Sequence, residues 1–213
     1  MPHSWHYPTG VMLDHLDRLR PASVLEIGPG FGKWGFLARE LLDWNEGRLT
    51  RDTWTARIDA VEAYPYDTPL YDWVYDDVRI ADALDVAADI RDYDLVIMSD
   101  VIEHIEKDAA RGLLRDLVGH NRNVLVSTPL DFFEQHVEEN PHEDHVSHWV
   151  AADFDGFTAD IDAAGGAALV VLIAGRGATL PTERRAKVSR ALQHVPGLAR
   201  RGTIQRDVKR LLS

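Results

Sequence analysis

The chain has 213 residues, and its 45% hydrophobic and 27% charged residues are typical of one soluble globular domain. It contains no cysteine, which excludes disulfides, thiolate metal sites and cysteine nucleophiles. No apolar run approaches the roughly 20 residues that cross a bilayer, so we expect no membrane partner. Residues 1–16 lack the layout of a signal peptide, and a cytoplasmic location is the simplest expectation.

The net charge of −12 is unevenly spread. Residues 176–213 hold ten Lys/Arg and two Asp/Glu, which leaves 13 Lys/Arg and 33 Asp/Glu, a net of −20, in residues 1–175. An acidic body repels nucleic-acid phosphates, so we expect no nucleic-acid partner. We expect residues 176–213 to be a basic, helical extension of the same domain that packs on the acidic body or on a second copy, as a homodimer.

Apolar periodicity predicts helices and strands that alternate along the chain. Helices are expected over residues 12–19, 34–42, 107–118 and 153–164. Strands are expected over residues 23–27, 57–63, 78–82, 94–98, 123–127 and 168–173. This alternation predicts an α/β fold with a doubly wound, mostly parallel sheet of six to seven strands flanked by helices. In such sheets, ligands bind at the carboxyl ends of the strands.

A glycine-rich turn follows the first predicted strand, where the sequence is Glu26-Ile27-Gly28-Pro29-Gly30-Phe31-Gly32. Glycines let the backbone approach a ligand closely, and the following helix offers free N–H groups. The dinucleotide fingerprint requires Gly-x-Gly-x-x-Gly, but Lys33 stands at the place of its third glycine. A nicotinamide-dependent oxidoreductase is therefore the less favoured alternative.

This turn resembles the first motif of the class I S-adenosylmethionine (SAM)-dependent methyltransferases, which have a Rossmann-like fold. The resemblance covers residues 23–173. Glu62 matches the family's ribose-binding acid, whose carboxylate can accept hydrogen bonds from both hydroxyls. Residues 93–105 resemble the fourth-strand motif, including its Glu-His ending. The resemblance implies SAM as cofactor, held by Glu26, Gly28, Gly30, Gly32, Glu62, Asp82, Ala83, Asp100 and Val101.

The end of the chain departs from that family. A seventh, antiparallel strand normally follows the sixth, but residues 175–181 are short and lead into the basic extension. We therefore expect a methyltransferase domain over residues 1–175, with an altered sheet edge and an added segment over residues 176–213.

A segment over residues 131–150 follows the fifth predicted strand and is expected to form a lid over the substrate. Between Glu134 and Trp149 it holds four histidines and five acids, and prolines indicate an irregular path. Its histidines could supply a general base, with His145 favoured and His104, His142 and Asp144 as further catalytic candidates. They could instead help to bind Mg²⁺ or another divalent ion, with candidate ligands Asp100, Glu103, His104, Asp144 and His145. A solvated polar lid is the plainer alternative.

The resemblance implies in-line methyl transfer to a nucleophile. A hydroxyl acceptor needs a base or a metal, because its pKa lies far above neutral. Residues 99–102 lack the Asn/Asp-Pro-Pro-aromatic motif of amino-methylating DNA enzymes. Aromatic residues, Trp5 and Tyr66 among them, could hold a ring, and the lid slightly resembles that of metal-assisted sugar O-methyltransferases. We therefore expect a small-molecule acceptor, a saccharide or glycoside hydroxyl; the alternative is a non-catalytic SAM-binding subunit.

Overall fold

The computed structural model describes residues 5–181 of the chain. None of the helices in that range is long and apolar enough to cross a bilayer. The predicted basic extension, residues 176–213, falls almost entirely outside the described residues. Its helical structure and the homodimer that it could support therefore stay predictions.

Seven strands form one sheet in the order β3-β2-β1-β4-β5-β7-β6. The first five run parallel, β7 lies antiparallel to β5, and β6 lies antiparallel to β7. The strands are Ser23–Ile27, Arg57–Glu62, Asp77–Ile80, Leu95–Ser99, Asn123–Pro129, Ala159–Ala164 and Ala168–Ala174, numbered β1 to β7. The predicted doubly wound, mostly parallel sheet is confirmed, and its strand order reverses between β1 and β4.

Helices cover both faces of the sheet. They are Thr9–Leu19, Lys33–Leu42, Leu70–Val74, Ala83–Val86 and Lys107–His120, numbered α1 to α5. The predicted helices over residues 12–19, 34–42 and 107–118 therefore exist with small shifts of their ends. The short α3 and α4 were not predicted.

The predicted helix over residues 153–164 is wrong. A 3-10 turn, Ala151–Phe154, is followed by strand β6, which forms a hairpin with β7. Gly165 and Gly166 have φ angles of 60° and 67°, and two successive positive φ angles make a turn that suits a hairpin rather than a helix end. The expectation that the seventh strand is altered is therefore wrong too, since β6 and β7 complete the sheet.

The core consists of two apolar layers, one on each face of the sheet. Strand β4 contributes to both, because Val96 and Met98 face one layer while Leu95 and Ile97 face the other. Burial on both faces explains why the strand is a continuous apolar run. The first layer includes α5, and the second includes the buried sides of α1 and α2.

A buried arginine fixes the far end of α2. The guanidinium of Arg39 is fully buried and donates hydrogen bonds to Asp43 at 2.7 Å and to Asp76 at 3.0 Å. It also donates to the backbone carbonyls of Ala56 at 2.6 Å and Val74 at 3.0 Å. A buried cation needs such partners, because desolvation would otherwise make it costly. Helix α2 is thereby fixed at the end opposite the glycine turn.

Candidate active site

A cavity of about 450 Å³ opens at the carboxyl ends of β1, β2 and β4, where the strand order reverses. Its walls come from the glycine turn, the ends of these strands, the segment over residues 131–150 and Trp5. All predicted site residues line the cavity except Gly32 and Asp144. Those that do are Glu26, Gly28, Gly30, Glu62, Asp82, Ala83, Asp100, Val101, Glu103, His104, His142 and His145.

The glycine turn lies close against the end of β4. Gly28 has a φ of 66°, and a Cβ built on it would lie 2.6 Å from Cγ2 of Val101, so no larger residue fits without movement. Its N–H donates to the carbonyl of Val61 at 2.9 Å. Gly32, with a φ of 90°, precedes α2 and faces Leu70 and Tyr75, which explains why it does not line the cavity.

Glu62 lies at the end of β2 beside that turn. One carboxylate oxygen accepts the N–H of Gly30 at 3.0 Å, and the other accepts the N–H of Tyr64 at 2.9 Å. Burial raises the pKa of Glu62, while these N–H groups oppose the rise. A carboxylate held at a cavity wall in this way is suited to accept hydrogen bonds from a diol.

Glu26 connects β1 to the start of α2. One carboxylate oxygen accepts the N–H of Gly35 at 2.7 Å and the hydroxyl of Tyr75 at 2.5 Å. Burial raises the pKa of Glu26 to about 8. Glu26 therefore holds the glycine turn in shape, and its predicted contact with a cofactor stays a prediction. Tyr75, which sequence analysis did not identify, completes this arrangement.

Asp82 and Ala83 form the rim of the cavity beyond β3. The Asp82 side chain caps α4, because its Oδ1 accepts the N–H of Leu84 at 2.8 Å. Asp82 and Ala83 both line the cavity. Their predicted contact with an adenine stays a prediction.

Asp100 ends β4 and bonds to residues far away in the chain. It has a φ of 54°, and its carboxylate accepts the N–H of Trp5 at 2.8 Å and the hydroxyl of Ser127 at 3.3 Å. The Trp5 ring stacks on Phe133 with a centroid distance of 5.6 Å. Trp5 forms part of the cavity wall. Its predicted use as an aromatic platform needs this position.

A group of three side chains, which we call the Glu103–His104–His145 cluster, lines the cavity. One ligand atom from each residue lies within 4.8 Å of the others. Glu103 is 3% exposed, and neither of its carboxylate oxygens has a hydrogen-bond partner. Burial and the charge of Asp100 raise its pKa well above the usual range, and the nearby Thr128 hydroxyl offsets only part of the rise.

Both histidines of the cluster are oriented by backbone carbonyls. Nδ1 of His104 lies 3.1 Å from the carbonyl of Asp144, and Nδ1 of His145 lies 2.9 Å from that of Phe133. A carbonyl can only accept, so each Nδ1 carries the proton and each Nε2 keeps a lone pair. Burial lowers the pKa of both imidazoles and so favours their neutral form.

The two remaining catalytic candidates, His142 and Asp144, differ in their position. His142 lines the cavity, but the Asp144 carboxylate accepts the N–H of Val137 at 2.8 Å and lies 2.7 Å from Nδ1 of His136. Only the backbone of Asp144 thus serves the cluster, through His104. Trp149, at the end of the same segment, is fully buried in the core and so offers no aromatic face to a ligand.

A polar wall that sequence analysis missed completes the site. The Tyr66 hydroxyl donates to Glu143 at 2.7 Å and accepts from the amide of Asn140 at 2.7 Å. The amide of Gln135 donates to the carbonyl of Glu143. All four residues line the cavity. Sequence analysis named Tyr66 only as an aromatic platform, and only the polar density of residues 131–150 indicated the other three, which lie about 70 residues later in the chain.

No protein-family model matches the chain, and none of the curated proteins is similar enough to match. Solved structures do match. DhpI, in a complex with S-adenosylhomocysteine (SAH), is 15% identical over 80% of this chain and 87% of its own, with a TM-score of 0.56. The methyltransferase domain of a bacterial CtHen1 is 15% identical over 79% and 97%, with a TM-score of 0.51.

A third match is the N-terminal domain of EvdMO1, determined in the presence of SAH and D-fucose. It is 16% identical over 76% of this chain and 83% of its own, with a TM-score of 0.50. Such low identities establish the fold alone. The chain therefore has the class I methyltransferase fold that the resemblance implied.

Proposed function

We propose that this chain, which has the class I methyltransferase fold, transfers a methyl group from SAM to a hydroxyl of a small-molecule acceptor. The observation that carries the proposal is the pairing of two sites in one cavity. Glu62, a carboxylate suited to accept hydrogen bonds from a diol, lines the cavity beside a closely packed glycine turn, and the Glu103–His104–His145 cluster lines the same cavity.

The residues present fit SAM. Gly28 and Gly30 line the cavity and carry no side chain, so only backbone borders the cavity at these two positions of the turn. Glu62 would accept hydrogen bonds from the ribose hydroxyls, and Asp82 and Ala83 would border the adenine. When bound, SAM supplies an electrophilic methyl group on a sulfonium that leaves readily. Two of the matching structures, DhpI and EvdMO1, hold or were determined with SAH, which supports this choice.

The cluster is suited to activate a hydroxyl. An alcohol is a poor nucleophile until its proton is removed or its pKa is lowered. The free Nε2 atoms of His104 and His145 can accept the proton of the alcohol directly. They can also bind a divalent ion, which would lower the pKa of the alcohol. Positioning by the cavity supplies much of the remaining rate, because both reactants are held in line.

We further propose a saccharide or glycoside as the acceptor. The stacked pair of Trp5 and Phe133 offers an aromatic face to the apolar side of a sugar ring. The polar wall of Tyr66, Asn140 and Glu143 offers donors and acceptors to its hydroxyls. The match to a domain determined with D-fucose supports this class. The net charge of −20 over residues 1–175 argues against a nucleic-acid substrate.

The first test is binding of SAM by isothermal titration calorimetry to the wild type, Glu62→Gln and Glu40→Gln. Loss of charge-assisted hydrogen bonds should weaken binding about 10- to 100-fold in Glu62→Gln. Glu40 is exposed on α2, so Glu40→Gln should bind like the wild type. Equal binding by both variants would contradict the role of Glu62, and NADH binding without SAM binding would favour an oxidoreductase.

The second test is transfer of labelled methyl from SAM to panels of saccharides, phenols and amines. Labelled ethers of saccharides would support the proposal. Products methylated at nitrogen or carbon would contradict the acceptor class. SAM binding with no transfer to any panel would favour the alternative of a non-catalytic SAM-binding subunit.

A further inference from the structure

We propose that Glu103, His104 and His145 bind one divalent transition-metal ion, with Mn²⁺ and Zn²⁺ preferred over Mg²⁺. The site is inferred from its own geometry. Only the use of the ion, which is to bind and acidify the acceptor hydroxyl, rests on the proposed function. Two imidazole nitrogens and one carboxylate form a donor set that suits first-row transition metals, whereas Mg²⁺ prefers oxygen ligands alone.

Glu103 is the strongest indication of a ligand. Its side chain is almost fully buried, and neither carboxylate oxygen makes a well-formed hydrogen bond, the Thr128 hydroxyl being the one side-chain donor near enough to favour its charged form. Buried carboxylates are normally paired, because removing their charge from water is costly. The neighbouring Asp100 increases that cost, since like charges repel. A bound cation would satisfy both oxygens of Glu103 and relieve the repulsion.

The histidines present their free nitrogens in the way that metal ligands do. Metal-binding imidazoles usually donate their other N–H to a carbonyl or carboxylate, which fixes the tautomer and the ring orientation. Here the carbonyls of Asp144 and Phe133 take that role for His104 and His145. The two ring centroids are 4.9 Å apart with an interplanar angle of 59°, so the Nε2 atoms can converge without stacking.

The spacing needs little adjustment. Two ligands on one ion, each about 2.0–2.2 Å from it, lie at most about 4.4 Å apart. The ligand atoms of the cluster lie within 4.8 Å of one another, so small side-chain rotations suffice. All three residues line the cavity, which leaves the open coordination positions facing the acceptor.

An ion at this site would also fasten residues 131–150 to the sheet. Glu103 and His104 belong to the 3-10 turn after β4, while His145 comes from the segment that follows β5. The N–H groups of Val146 and Ser147 already donate to the carbonyl of Glu103 at 2.9 and 3.0 Å. The backbone thus brings His145 to the turn before any ion binds.

The experiment uses the full chain after treatment with EDTA and dialysis. Mn²⁺ alone, Zn²⁺ alone and Mg²⁺ alone are titrated by calorimetry, and Mn²⁺ binding is also followed by electron paramagnetic resonance. The melting temperature, Tm, is measured with and without each ion. We expect one Mn²⁺ or Zn²⁺ per chain, a rise in Tm, and binding of Mg²⁺ more than about tenfold weaker.

Three variants make the test specific. Glu103→Gln and His145→Ala should weaken Mn²⁺ binding more than about tenfold and abolish the rise in Tm. His120→Ala changes a histidine at the end of α5 that does not line the cavity, and it should bind like the wild type. The ion-free Tm of Glu103→Gln should stay close to that of the wild type, because burial already favours the neutral carboxyl and the amide is neutral and of the same shape. That result keeps the test valid if His145→Ala fails to fold.

Absence of saturable Mn²⁺ and Zn²⁺ binding would overturn the proposal, as would equal binding by Glu103→Gln and His120→Ala. The methyl-transfer assay separates this inference from the proposed function. Transfer that persists in EDTA would overturn the use of the ion in the reaction and leave the methyltransferase standing. Metal binding with no SAM binding would leave the ion site standing and overturn the methyltransferase.

Discussion

Replacing Gly28 with alanine tests the closeness of the glycine turn to the end of β4. The φ of Gly28 is 66°, and its missing Cβ would lie 2.6 Å from Cγ2 of Val101. An ordinary contact between two carbons is about 3.5–4.0 Å. Gly28→Ala therefore introduces two separable costs, which are the left-handed backbone and the overlap with Val101.

The two costs can be given magnitudes. A left-handed conformation costs a residue with a Cβ about 1–2 kcal/mol, and overpacking adds about 1–3 kcal/mol. Gly28→Ala should therefore lower the free energy of unfolding by about 2–5 kcal/mol. Gly47 also has a positive φ, of 80°, but a Cβ added there would have no atom within 4 Å. Gly47→Ala should lose only the backbone part, about 1–2 kcal/mol.

The assay is urea unfolding of Gly28→Ala, Gly47→Ala, Val101→Ala and the double variant of Gly28 and Val101. Removing Cγ2 of Val101 relieves the overlap, so the double variant should be about 1–3 kcal/mol more stable than the sum of the single losses predicts. Additive losses, or a Gly28→Ala variant no less stable than Gly47→Ala, would refute the reasoning.

Three further changes test other parts of the fold and site. The folded pKa of Glu26, about 8, exceeds its usual 4.5, so stability should fall as pH rises between these values, by at most about 1.4 kcal/mol per pH unit. Glu26→Gln should flatten this slope in urea unfolding at pH 5 and pH 8, and parallel slopes would contradict it. Arg39→Met should cost about 3–5 kcal/mol in the same assay, because it leaves the fully buried Asp43 with fewer partners; a loss below about 1 kcal/mol would be inconsistent with that account. Asp82→Ala should lower stability by about 1 kcal/mol through loss of the α4 cap and should weaken SAM binding by calorimetry, and an unchanged affinity would remove Asp82 from the proposed cofactor site.

Most of the sheet could be predicted because β1, β4 and β5 contain short apolar runs and β2 alternates between polar and apolar residues, which are local patterns. Strand β6 could not. Phe154, Phe157, Ile161 and Ala164 recur at intervals of three or four residues, which is the spacing of a helix. In the fold Ile161 is exposed, and pairing with β7 determines the structure instead. Pairing between strands is a tertiary interaction that a local pattern does not encode.

The cofactor half of the site was more predictable than the acceptor half. Gly28, Gly30 and Glu62 follow strands, so the topology places them together. In the irregular segment that follows β5, the sequence offers four histidines with no period to choose among them. His145 was favoured and does line the cavity, but the adjacent Asp144 carboxylate does not. Asp144 has an extended backbone, in which neighbouring side chains point in opposite directions. This explains why the His145 side chain faces the cavity while the Asp144 carboxylate does not.

Part of the side assigned to the acceptor comes from a single segment of the chain. The residues assigned to SAM all come from the chain before β5, whereas Phe133, Gln135, Asn140 and His142 lie together between β5 and Ser147. Ser147 and the buried Trp149 bond to the backbone of the turn after β4 and so belong to the scaffold. Under the proposed function, residues 136–142 could thus be replaced by a loop of different composition to change the accepted molecule, while the carbonyls of Phe133 and Asp144 still orient His145 and His104 and the methyl donor stays the same.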